Sequence, residues 1–77
     1  MADKNPRHDP GTRVRLIDSE DGTVEYGIVS WTWWDEQMRC WDCYISFFGT
    51  EKPEENKPQT KPYVLRYFAA SLTLGWD

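Results

Sequence analysis

Residues 23–34 read TVEYGIVSWTWW. β-Branched and aromatic side chains dominate the stretch, and these suit a pleated, half-buried surface. After Gly27, the residues Val29, Trp31 and Trp33 share one parity, with Ser30 and Thr32 opposite. Val24 and Tyr26 before Gly27, and Ile28 just after it, have the other parity. A bulge at Gly27 brings both sets to the inside. The stretch therefore predicts one long, kinked strand with an inward aromatic face.

The neighbouring segments follow the same period of two. Residues 12–17, TRVRLI, alternate Val14 and Leu16 with Arg13 and Arg15. The acidic DSEDG at 18–22 reads as a turn. Asp35-Glu36-Gln37 is a polar connection into MRCWDCYISFF, residues 38–48. There Trp41, Cys43, Ile45 and Phe47 form a core face, and parity puts Asp42 and Ser46 on the wet side. Residues 49–62, GTEKPEENKPQTKP, hold three prolines and six charges and no apolar residue, which predicts a mobile loop. YVLRYF at 63–68 is a fourth strand. Ala69-Ala70-Ser71-Leu72 forms a short helical turn, and the alternation of Leu72, Leu74 and Trp76 suggests a last short strand. Residues 1–11, MADKNPRHDPG, read as a flexible arm, with His8 a solvated tail residue.

The chain has 77 residues, the size of one small domain. Twelve residues are Phe, Trp or Tyr and five of these are Trp, while Val, Leu and Ile are few. Aromatic rings therefore build most of the core, and several stay at the surface, where binding sites favour them. Nine basic residues stand against thirteen acidic ones, a formal charge of -4. That balance argues against nucleic acid, which needs a basic footprint. No run of 18 apolar residues exists to span a membrane. The start lacks the apolar stretch of a secretory signal, which predicts a cytoplasmic protein with Cys40 and Cys43 as free thiols.

Four to five short antiparallel strands with tight turns make the expected class all-β, a small barrel over residues 12–77. The series PGTRVRL, GTVEYGIVSW, WDCYISFFG and YVLRYFAASLTL resembles SH3-like small β-barrels over roughly residues 10–76. That resemblance implies a barrel whose last strand follows a short turn. It leaves the function open among peptide-binding adaptors, methyl-ligand readers, nucleic-acid-binding modules, subunits of complexes and the small plasmid-borne dihydrofolate reductases. Val64-Leu-Arg-Tyr67 and the following Phe-Ala-Ala-Ser-Leu72 are similar in layout to the Val-Gln-Ile-Tyr strand and turn of those reductases. Val64 and Tyr67 match. Leu65 stands where the resemblance expects the glutamine that holds the pteridine and nicotinamide rings, which argues against a reductase.

Cys40 and Cys43 are three apart on a strand, so they point to opposite faces and share neither a disulfide nor a metal. No nucleophile elbow or phosphate-binding glycine loop occurs. The expected role is a non-enzymatic one without cofactor or metal. Trp31, Trp33, Trp34, Trp41 and Tyr44 form the distinctive cluster. It reads either as aromatic core or as a surface in which Trp33, Trp34 and Tyr44 lie beside Asp35, Glu36 and Asp42. Aromatics ringed with carboxylates suit a cationic or proline-bearing peptide of a partner protein. A homo-oligomer interface would use the same residues. The competing readings are a symmetric oligomeric enzyme, with its site at a subunit junction, and a nucleic-acid-binding barrel.

Overall fold

The computed structural model describes residues 6–53 and 63–77. Five strands form one antiparallel sheet: β1 (Arg13–Ile17), β2 (Val24–Asp35), β3 (Cys40–Gly49), β4 (Tyr63–Phe68) and β5 (Thr73–Leu74). A single 3-10 turn, Ala69–Ser71, joins β4 to β5. The strand order is β4-β3-β2-β1-β5. The all-β class is as expected, but the barrel is not closed. β4 and β5 end the sheet on opposite sides, and β5 is too short to reach round to β4. Val14, Val29, Cys43, Ile45, Phe47, Ala69 and Leu72 make the buried core, with Leu16, Trp41 and Tyr67 packed on it.

β2 is irregular at two places against β3, between Tyr26 and Gly27 and between Val29 and Trp31. The first sits where Gly27 predicts it, but its extra residue is Phe48 on β3, since Tyr26 faces Gly49 and Gly27 faces Phe47. β2 therefore keeps its parity through Gly27. Val24, Tyr26 and Ile28 do not turn inward; they stay half-buried on the face opposite Val29. Gly27 is required for another reason. A Cβ there would lie 2.6 Å from Ile45 Cγ2 and 2.8 Å from the Ser46 carbonyl oxygen. The parity change comes at Ser30, which is unpaired while Val29 faces Ile45 and Trp31 faces Tyr44.

Residues 1–5 and 54–62 lie outside the described residues, so part of the expected arm and part of the expected loop fall there. Residues 6–11 pack on the sheet. His8 is only 6% exposed, and its Nε2 donates to the Ala69 carbonyl at 3.0 Å. The Gly11 N–H donates to the Val29 carbonyl at 2.8 Å, and Arg7 lies 4.8 Å above the Trp41 ring. At the start of the long connection, Lys52 pairs with Asp77.

Candidate functional site

The parity change at Ser30 builds the site. Residues paired directly across antiparallel strands put their side chains on one face. Trp31, Tyr44 and Arg66 form one outward row, and Trp33, Asp42 and Phe68 the next. Ser46 and Val64 extend the face, where Ser30 Oγ and Ser46 Oγ hydrogen-bond at 2.6 Å. Trp31 is 61% exposed and Val64 56%, with Tyr44 and Phe68 also exposed. Trp33 is half-buried, its ring 4.8 Å from that of Tyr44.

Asp42 lies on the outward face, as parity requires, yet it is 0% exposed and not on the wet side. Arg66 covers it: Nε donates to Asp42 Oδ2 at 2.7 Å, and Nη2 lies 2.7 Å from the same oxygen. Asp42 Oδ1 accepts the Cys43 N–H at 2.9 Å. Burying a carboxylate without a cation is costly, so this pairing is what allows Asp42 to sit beneath the rings. Arg66 Nη2 also reaches Asp35 Oδ2 at 3.4 Å, and the guanidinium carbon stands 5.5 Å from the Trp33 ring. The hydrogen bond to Asp42, then its charge, raises the pKa of Arg66 further above its ordinary value. Asp35 serves two elements, because its Oδ1 accepts the N–H groups of Gln37 and Met38 and so shapes the β2–β3 turn. The depression beside this cluster, about 230 Å³, is lined by Asp42, Arg66, Tyr67, Phe68 and Ser71.

Of the six residues read from the sequence as a surface, Trp33, Asp35, Asp42 and Tyr44 come together here. Trp34 does not. It faces Trp41 on the other side of β2 and β3, with ring centroids 5.5 Å apart. Glu36 lies exposed in the turn. Trp31 was expected inside and is the most exposed ring of the face. Arg66 and Phe68 were missed, because their relation to β3 depends on β4 pairing across a long connection. Two of the three carboxylates expected to attract a cation, Asp35 and Asp42, are instead taken up by the protein's own Arg66.

Cys43 is buried and Cys40 half-buried, both free thiols. Burial, with the Asp42 charge, pushes Cys43 up to about 11. Arg15 donates to the carbonyls of Leu74 and Gly75, and Arg13 lies over the Trp76 ring, so both serve the β1–β5 corner. In the acidic turn, Asp18 and Asp21 accept the N–H groups of Glu20 and Thr23. Among the described residues, no group of three or more His, Cys, Asp and Glu is placed to hold a metal ion. No helix among them is long and apolar enough to cross a membrane.

No protein-family model matches the chain, and no curated protein or solved structure matches it at a significant level.

Proposed function

We propose that this is a non-enzymatic interaction module that binds a partner protein through the outward face of β2, β3 and β4. The carrying observation is the exposed row of Trp31 and Tyr44 beside Trp33, Phe68 and Val64, on a face where Arg66 covers and pairs with the buried Asp42. Rigid aromatic anchors of this kind dominate protein interfaces. Asp35 and Asp42 are held by Arg66 rather than left free for acid–base work. Arg66 offsets one of these two negative charges, so the exposed rings dominate the face and its partner contributes chiefly an apolar or aromatic surface. The order β4-β3-β2-β1-β5, with a short turn leading through buried Leu72 into β5, supports an SH3-like arrangement of the sheet. Two free thiols suit a reducing cytoplasm.

The test is affinity capture from source-cell lysate with wild type, Trp31→Ala/Tyr44→Ala and Trp34→Ala. A partner retained by wild type and by Trp34→Ala is lost by the folded double variant, which loses at least about 2 kcal/mol of binding for a hot-spot ring. Equal retention by all three proteins would remove the outward face as the site.

A further inference from the structure

We infer that β4 is a pairing edge for a second copy of this chain, joining two sheets into one continuous sheet across a two-fold axis at Leu65. β4 is an end strand, with β3 on one side and no neighbour on the other among the described residues. Natural edge strands are protected by shortness, lysines, prolines or bulges. The opposite edge, β5, is protected by being two residues long. Among the described residues, β4 has no lysine, proline or bulge, and its one charged side chain, Arg66, is turned onto Asp42 and Asp35 of its own sheet. Its six residues, YVLRYF, pair with β3 in an unbroken register, and Tyr63, Val64, Leu65 and Phe68 are all exposed. The free edge thus offers a row of backbone donors and acceptors flanked by apolar side chains on both faces.

The occupant is argued from charge and symmetry. A two-fold axis normal to the sheet pairs residues of the same face. Centred on Arg66, it would set two guanidinium groups opposite each other, which is unfavourable. Centred on Leu65, it places Leu65 against Leu65, Tyr63 against Tyr67, and Val64 against the stem of Arg66. No like charges then face each other, and Asp42 and Asp35 already balance Arg66. In a chain with a formal charge of -4, the copies meet on a strand that carries no acidic residue and whose one charge, Arg66, is paired within its own molecule. Two six-residue edges bury less than the roughly 1,200 Å² usual for stable complexes, so the dimer is a weak one that forms only at high protein concentration. Its geometry sets two aromatic faces side by side on one sheet.

Sedimentation equilibrium and hydrogen exchange on the full chain test this, with Leu65→Lys and Trp31→Ala as variants. Over concentrations from about 10 μM to 1 mM, chosen to bracket a weak interface, the wild-type mass rises from 9.1 kDa toward twice that value. The amides of β4 gain protection in step. Leu65→Lys sets two ammonium groups across the axis and weakens the dimer at least about tenfold, while Trp31→Ala leaves it intact. A mass fixed at the monomer value overturns the inference, as does a dimer whose β4 amides gain no protection. If Trp31→Ala abolishes association and Leu65→Lys does not, the copies meet on the aromatic face and the edge is excluded. None of these readings depends on the captured partner, so the edge and the face fail separately.

Discussion

Gly27 shows how one residue type can be legible for the wrong reason. A glycine inside a β-branched and aromatic run signals a bulge or a close approach of backbones, and both occur at Gly27. Yet the extra residue sits on β3, so the glycine serves the approach rather than a change of face. Its missing Cβ leaves room for Ile45 and the Ser46 carbonyl, and the latter is backbone that cannot rotate away. Gly27→Ala is therefore expected to destabilise by about 1–3 kcal/mol, the usual cost of forcing volume into a packed interior. Urea denaturation measures it. A shift within about 0.5 kcal/mol of wild type, the scale of an ordinary surface substitution, would mean that β2 and β3 separate easily. Ser30, by contrast, carried no warning. A serine between Val29 and Trp31 looks like the polar half of an alternation, and nothing local distinguishes an unpaired residue from a paired one.

At the scale of the strands, the period of two located all five segments, and the inward set of β3 (Cys43, Ile45 and Phe47) was readable from parity alone. The candidate site was only half readable, because it is made by pairing. Trp31 moved from core to surface through one bulge, and Asp42 was buried by an arginine 24 residues away. The β3–β4 pairing carries its own prediction. Arg66→Leu leaves the Asp42 carboxylate buried without its cation and lowers the urea midpoint well beyond the effect of an ordinary exposed residue. Asp42→Asn costs less in the Arg66→Leu background than in wild type, so the double-mutant cycle gives a favourable coupling. Arg66→Lys does not restore stability, since a single ammonium cannot reproduce contacts made by both Nε and Nη2. Additive single and double variants would show that the aromatic face is held by ring packing alone.

Across the whole molecule, the open sheet is tied at one end by a contact between distant strands. Tyr63 at the start of β4 donates to Glu25 Oε1 on β2 at 2.6 Å. That hydrogen bond to a carboxylate, followed by burial, raises the Tyr63 phenol to about 12 from an ordinary value of 10.0. Cys43, inside the core, is raised to about 11 from 9.0, chiefly by burial. Both groups hold their protons more tightly folded than unfolded, so each contributes stability that is complete below its unfolded pKa. The Cys43 contribution is lost as pH climbs from 9 through about 11, and the Tyr63 contribution from 10 through about 12. Urea midpoints should therefore be level up to about pH 9 and fall above it. In Tyr63→Phe the decline above pH 10 becomes shallower, because the phenol no longer titrates, while the part due to Cys43 persists. An unchanged slope in Tyr63→Phe would mean that the β2–β4 tie is not kept in solution. The loosening begins at the start of β4, where Tyr63 makes the tie, so exchange of β4 amides should rise with pH before that of β2 and β3.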